Sequence, residues 1–447
     1  MSKLRLAIVG AGPAGIYAAD LLIKSELRDF DVSIDLFDLL PAPYGLVRYG
    51  VAPDHPRIKG IIRALYEVLD RGDIRFFGNV QYGKDITLDE LKQHYNAVIF
   101  ATGAVKDADL NIPGIDLEGS FGAAEFVNWY DAHPDFARTW PLNAKEVAVI
   151  GNGNVALDVA RVLAKLPEQM LATDIPANVY EGLKASPVTD VHVFGRRGPA
   201  QVKFSPLELR EATHIEGVDC IVYDEDFQYD DASREAIDSN NQTRVMVNTL
   251  EALREEPQNT GASRRLHLHF FSSPVEVIGV DGKVAALKIE RTKLDGKGGV
   301  VGTGEFRELP VQAVYRAVGY FGSELPEVAY DAKHGVIPND GGRVAPGVYA
   351  TGWIKRGPVG LIGHTKSDAL ETIENLVADI SDLSDPAEPT TDALLATFAE
   401  RSVDFTTWDG WLKLNQHEMA LGEAFEGVER ERVKVVARDE QVSISNK

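Results

Sequence analysis

Apolar residues in the first half of the chain come in short continuous runs, each closed by glycine or a polar turn. Residues 4–9 form the first run, 32–37 the second and 96–100 the third. Runs of this length and purity read as strands buried on both faces, the habit of parallel sheets. A glycine-rich turn follows the first run, and a helix continues to about Lys24. The pattern then restarts. Residues 146–150 make a strand, a second glycine turn opens a helix to about Leu166, and 189–194 make the next strand, ending in Gly195-Arg196-Arg197. Strands alternating with helices predict sheets covered on both sides.

The second half reads differently. Residues 224–256 are acidic and helix-compatible. Residues 266–271, 284–290 and 311–317 read as strands, with turns at Asp281-Gly282 and Gly298-Gly299. A run at 348–353 precedes a helix over about 364–380. A proline-bearing linker at 385–389 then leads to a mostly helical tail. The expected fold is α/β: two Rossmann-like dinucleotide-binding domains, parallel sheets with a small antiparallel portion. The expected division is 1–105 for the first part of one domain, 106–325 for the second domain, and 326–447 for the return to the first with its tail.

Charge and cysteine content narrow the chemistry. The 447 residues carry a formal charge of −22, which disfavours nucleic acid and anionic membranes as partners. One cysteine, Cys220, excludes an internal disulfide, a redox-active dithiol and a self-contained iron–sulfur cluster. No apolar run reaches the roughly 18 residues of a membrane span. A cytoplasmic monomer without a metal is expected.

The first turn, Gly10-Ala11-Gly12-Pro13-Ala14-Gly15, fits G-x-G-x-x-G. Gly10 permits the tight turn, Gly12 lets the backbone approach a pyrophosphate, and Gly15 lets helix and strand pack closely. Asp38 ends the next strand and suits ribose hydroxyls; a 2′-phosphate beside it is disfavoured, so FAD or NAD fits here. The second turn, Gly151-Asn152-Gly153-Asn154-Val155-Ala156, is a G-x-G-x-x-A variant. Its partner strand ends in two arginines, Arg196 and Arg197, whose guanidinium groups match a phosphate in charge and shape. That points to NADP. Residues 167–187 are then an insertion within the second unit.

The stretch from Leu40-Pro41-Ala42-Pro43-Tyr44-Gly45 through Leu46-Val47-Arg48-Tyr49-Gly50 to Val51-Ala52-Pro53-Asp54-His55-Pro56 resembles the adrenodoxin reductase family of ferredoxin–NADP reductases. So do Gly151 to Arg161, Gly195-Arg196-Arg197-Gly198-Pro199 with Glu208-Leu209-Arg210-Glu211, and Gly352-Trp353-Ile354-Lys355-Arg356-Gly357-Pro358. The chain looks most like bacterial members. The resemblance implies FAD contacts at Ala14, Asp38, Leu46, Val80, Trp353, Gly360, Leu361 and Ile362. It implies NADP contacts at Asn152, Gly153, Asn154, Val155, Arg196, Arg197 and Glu208, with Gly360 where nicotinamide meets flavin. His55 and Glu211 match a polar pair near the nicotinamide; His55 is open to positioning nicotinamide, shuttling a proton or a structural role. Asp38 departs from the more usual glutamate.

The implied reaction takes hydride from NADPH to FAD and passes single electrons to a ferredoxin. Thioredoxin reductases share the two-dinucleotide plan but need a C-x-x-C pair, and the small subunit of glutamate synthase needs cluster cysteines. A diaphorase or an NADP-binding redox sensor are the alternatives. Docking an acidic ferredoxin calls for a basic face, for which Arg234, Arg244, Arg254, Arg264 and Arg265 are the candidates.

Overall fold

The computed structural model describes residues 2–25, 30–360 and 362–447. The chain divides into two compact units. One comprises Met1–Lys106, Asp131–Asp135 and Tyr320–Lys447; the other comprises Asp107–Tyr130 and Phe136–Gly319.

The first unit is built on a six-stranded sheet in the order Arg343–Ala345, Val348–Ala350, Ala97–Phe100, Ser2–Val9, Phe30–Phe37, Ile74–Phe77. Every pairing is parallel except that of the edge strand Arg343–Ala345. The two-residue period of a strand sends Leu4, Leu6 and Ile8 into one core and Ala7 and Val9 into the other. Helices Pro13–Lys24 and Ile362–Ala378 pack side by side. On the other face, Phe37 stacks on Phe77 and meets Phe398 edge-on.

The tail folds back onto this unit through buried charge. Arg48 pairs with Glu418 at 2.5 Å, and its guanidinium lies 4.9 Å from the Trp411 ring centroid. Lys434 donates to Arg48 O at 2.8 Å and pairs with Asp131 at 3.1 Å. Buried pairs of this kind add little net stability but make one docking geometry strongly preferred, because a misaligned partner leaves a charge stranded.

The second unit carries a six-stranded, wholly parallel sheet in the order Ser120–Gly122, Ala313–Arg316, Glu146–Ile150, Asp190–Phe194, Arg264–His269, Val218–Ile221. A three-stranded antiparallel sheet, Ser272–Val280, Lys283–Leu294 and Val300–Leu309, packs on it around Ile150, Phe194, Val277, Leu287 and Ile289. The insertion after the second glycine helix is a 3-10 turn, Pro167–Met170, and a helix, Ala177–Ala185.

Several elements differ from expectation. The strand read at 266–271 is Arg264–His269 and belongs to the parallel sheet, while Phe271 turns away with φ +48°. Ser272–Val280, Val300–Leu309 and Val218–Ile221 were not anticipated. Residues 301–308 are exposed throughout, so this strand has no buried face to write a hydrophobic alternation into the sequence. The helix read from His364 begins at Ile362 and ends at Ala378.

Candidate functional site

Both glycine turns open helices that no side chain caps. Gly12 is the N-cap of Pro13–Lys24 and Gly153 that of Asn154–Ala164. Six other helices are capped by Thr87, Ser205, Asp230, Asn240, Thr390 and Thr407, while those after Ile61, Pro176 and Ala437 also lack a side-chain cap. The first-turn N–H groups of the two glycine helices are thus left for an outside acceptor, and phosphate is the natural one.

The glycines divide by task. A Cβ on Gly10 would lie 2.4 Å from Ala101 O, and one on Gly15 would lie 2.0 Å from Gly10 O. These two are required by the protein's own packing. At Gly12 the nearest atom to such a Cβ is Gly45 Cα at 3.9 Å. Such a Cβ would make only an ordinary contact, so internal packing does not demand glycine at this position. The second turn repeats this division: a Cβ on Gly151 would meet Ala317 O at 2.2 Å, while Gly153 has nothing within 4 Å.

The loop after the second strand closes on the first turn. Tyr44 N donates to Ala11 O at 2.8 Å, and half-buried Leu46 opens the short helix Leu46–Tyr49. Asp38 sits beneath. Its Oδ2 accepts Ala11 N at 2.6 Å, its Oδ1 accepts Leu40 N at 2.8 Å, and its carbonyl accepts Val80 N at 2.9 Å. Burial pushes its carboxyl up to about 6 against the pull of the two N–H donors and of Arg438. Asp38 therefore fixes the turn's shape as well as offering lone pairs to a ribose, a double role invisible in the motif. Ala14 meets Gly352, where a Cβ would come within 2.6 Å of its own. Half-buried Trp353 follows, opening Trp353–Arg356. Asp368 was missed by sequence reasoning: its carboxylate accepts Gly352 N at 2.6 Å and Thr351 Oγ1 at 3.1 Å, and pairs with Lys355 at 3.2 Å. Gly360 is exposed with φ +86°; Leu361 lies outside the described residues, and Ile362 begins the following helix.

At the second turn, residues 151–155 are all half-buried. Asn152 packs against Gly195 and its carbonyl accepts Lys203 N at 3.0 Å. Asn154 Oδ1 accepts Ser205 N at 2.8 Å. Val155 lies in the first turn of the helix. Arg196 is exposed, and Arg197 is half-buried with its Nε lacking a hydrogen-bond partner among the described residues. Both stand just beyond Phe194, where the 2′-substituent of a bound ribose is read. Glu208 is buried and lies 3.5 Å from Arg161, which also pairs with Asp158 at 2.8 Å. It thus helps hold the glycine helix to Pro206–Thr213. Glu211 is half-buried on that second helix. His55 is buried in a tight turn, its N donating to Ala52 O at 3.0 Å. The two belong to different units.

His192, His267 and His269 bring ring nitrogens within 4.8 Å of one another. The rings lie within 28° of parallel, so a cation in the plane of one is off the plane of the others, poor geometry for imidazole ligation. The cluster is a hydrogen-bonded aromatic stack: Asp190 holds Arg265 and His267, His267 meets Tyr223 OH, and His192 meets His269.

The arginines expected to form a basic face do not. Arg264 is buried against Leu163 O. Arg265 is bound to Asp190, Arg254 to Glu251 and Glu255, and Arg234 to Asp231. Arg244 donates to Asn241 and to Asp238 O. Carboxylates thus offset Arg234, Arg254 and Arg265, while Arg244 stands exposed on neutral acceptors.

Comparison with known proteins follows from these sites. Residues 4–179 match the pyridine nucleotide-disulphide oxidoreductase family. The chain is 40% identical over 466 residues to the NADPH-ferredoxin reductase of Mycobacterium tuberculosis, covering 99% of each. It is 36% identical over 461 residues to the mitochondrial NADPH:adrenodoxin oxidoreductase of Homo sapiens, covering 98% of this chain and 91% of the relative. The structure of the M. tuberculosis protein in complex with NADPH superposes with a TM-score of 0.93 at 38% identity over all of both chains. Among the described residues, no helix is long and apolar enough to cross a membrane.

Proposed function

The chain belongs to the family of NADPH-ferredoxin and NADPH:adrenodoxin reductases, and from that membership we propose that it is an FAD-dependent enzyme passing reducing equivalents from NADPH to a ferredoxin-type iron–sulfur protein. The observation that carries this reading is the contrast between the two uncapped glycine turns: a carboxylate, Asp38, serves the first, and an arginine pair, Arg196 and Arg197, follows the second.

The first turn fits FAD. Packing leaves glycine unneeded at Gly12, where a pyrophosphate would approach, and the N–H groups at the start of the Pro13–Lys24 helix would bind it. Asp38, bonded through its carbonyl to Val80 N, would receive the ribose, and Leu46 would contact the cofactor from the following loop. Ala14 and Gly352, which meet each other, would hold the flavin together with Trp353, Gly360 and the start of the Ile362–Ala378 helix. FAD held there supplies the conversion of a two-electron hydride into single electrons, chemistry no side chain provides. The Ile362–Ala378 helix contributes positive partial charge at its N-terminus. Half-buried Trp353 would shield the ring from water.

The second turn takes the NADPH pyrophosphate at Asn152 to Val155, and Arg196 and Arg197 take the 2′-phosphate. Glu208 holds this framework through Arg161. Hydride transfer itself needs no general acid, so the reaction does not call on His55 or Glu211 for one. The test uses the purified holoenzyme: NADPH-dependent reduction of ferricyanide, then of cytochrome c with and without ferredoxin. Ferredoxin-dependent cytochrome c reduction is the expected result. Ferricyanide activity without it would make the protein a plain diaphorase, and bound flavin with neither activity would make it a sensor.

A further inference from the structure

We propose that Thr292 is a positioning residue for coenzyme selectivity, holding the Arg196–Arg197 loop in the form that receives a 2′-phosphate. This rests on the assignment of the arginine pair to that phosphate.

The three consecutive carbonyls of the loop are all taken. Gly195 O accepts Ser272 N at 3.0 Å, Arg196 O accepts Thr292 Oγ1 at 2.7 Å, and Arg197 O accepts Phe271 N at 3.1 Å. Of the three donors, only Thr292 Oγ1 is a side chain. It is also the only one outside the segment that follows Arg264–His269 directly. Thr292 lies on Lys283–Leu294, the middle strand of the antiparallel sheet, so it ties the arginine loop to a separate layer of the unit.

Its aim is built in. The pairing between Lys283–Leu294 and Val300–Leu309 slips between Glu290 and Thr292. A slip of this kind re-aims the side chain at the irregularity. Thr292 is 8% exposed, and its N donates to Phe271 O at 2.8 Å, closing a ring of bonds with Phe271. Phe271 holds φ +48°, unusual for an aromatic residue. Its ring rests on Gly198, where a Cβ would lie 2.3 Å from Phe271 Cζ. Arg291, beside Thr292, donates to Phe270 O at 2.8 Å and pairs with Asp226 at 2.7 Å. A strained backbone and a slipped register persist only where surrounding bonds over-determine them. Here they converge on the two residues that read the 2′-position. Adjacent guanidinium groups repel, so a free loop would splay them. Fixing the Arg196 carbonyl sets the direction from which both side chains leave, and removes ordering cost from binding.

The experiment measures Kd for NADP+ and for NAD+ on the FAD-loaded protein by calorimetry. Thr292→Val keeps the shape and deletes the donor. Thr292→Ala serves if valine perturbs packing, and Thr292→Ser restores the oxygen. The expected result is a roughly 3- to 10-fold weaker NADP+ Kd for Thr292→Val, the scale of one net hydrogen bond. NAD+ Kd stays within twofold, and Thr292→Ser recovers the native ratio. Equal weakening for both coenzymes, or no change for either, overturns the proposal. Arg196→Ala separates the two levels. If it leaves the NADP+ to NAD+ ratio intact, the phosphate assignment falls and the Thr292 role with it. If it collapses the ratio while Thr292→Val does not, the Thr292 role alone is wrong.

Discussion

Asp38 shows how one carboxylate serves both fold and ligand. One of its oxygens accepts Ala11 N from the first turn and the other accepts Leu40 N from the loop that follows Asp38 itself. Removing it strands a buried N–H at the place where a pyrophosphate would approach. Asp38→Ala should weaken FAD binding roughly 10- to 100-fold, the range of charge-assisted bonds, as measured by flavin fluorescence on reconstituting the apoprotein. Unchanged affinity would leave Asp38 a purely structural residue. Arg196 and Arg197 are tested differently. Arg196→Ala with Arg197→Ala should raise the NADPH KM by at least about tenfold and leave NADH turnover nearly as it was; an equal loss with both coenzymes would remove the phosphate from this loop. The sequence alone marked these three residues, because each follows a strand end that the glycine pattern locates. Asp368 was not legible: it lies 16 residues beyond the Gly352 it supports, on a helix whose polar residues look like ordinary surface.

At the scale of elements, the glycines allow stability and binding to be separated. Gly12→Ala adds a methyl in ordinary contact with Gly45 Cα, 3.9 Å away, at φ −77°. The apoprotein should melt within a degree or two of the parent, while FAD binding falls steeply, because the methyl occupies the space of the pyrophosphate. Gly15→Ala places the same methyl 2.0 Å from Gly10 O and should lower the melting temperature of the apoprotein itself. Identical behaviour of the two variants would contradict this division. The face of the second sheet makes a pH prediction. Burial, reinforced by the neighbouring His267, pulls His192 down to about 3, and burial likewise lowers His267 and His269. These groups stay neutral in the folded protein, while the unfolded chain takes up protons near 6.5. Their contribution to stability is therefore full above pH 6.5 and is lost as pH falls from 6.5 towards 3. His192→Phe, which keeps the stack and removes one titrating ring, should flatten melting temperature against pH in that window, at up to about 1.4 kcal/mol per pH unit. An unaltered slope would mean that the ring titrates freely in the native state.

For the whole molecule, charge is the governing quantity. The chain carries a net charge of −22, and of the arginines between 234 and 265 Arg234, Arg254 and Arg265 are paired with carboxylates, Arg264 is buried and Arg244 is exposed. Arg254→Ala should change the ferredoxin KM less than twofold at any ionic strength in the cytochrome c assay; a marked, salt-sensitive rise would restore that surface as a docking site. Arginine positions can be counted in a sequence. The neutralisation of Arg265 depends on Asp190 arriving beside it from another strand, which the fold arranges, whereas Asp231 and Glu251 stand three residues before Arg234 and Arg254 on the same helices.

What the sequence by itself determined is the part governed by short-range rules. Parallel strands announce themselves as apolar runs, a glycine turn demands its glycines within six residues, and coenzyme choice rides on the residues ending the next strand. The antiparallel strand Val300–Leu309 leaves no alternation in the sequence because residues 301–308 are all exposed. Only the tertiary structure decided which distant groups meet: Glu418 on Arg48, Lys434 on Asp131, Asp368 under Gly352 and Thr292 on Arg196. Such contacts leave no local trace. A buried ion pair or a single hydroxyl donor constrains each partner only to be polar, and hundreds of positions satisfy that until the backbone brings two of them within 3 Å.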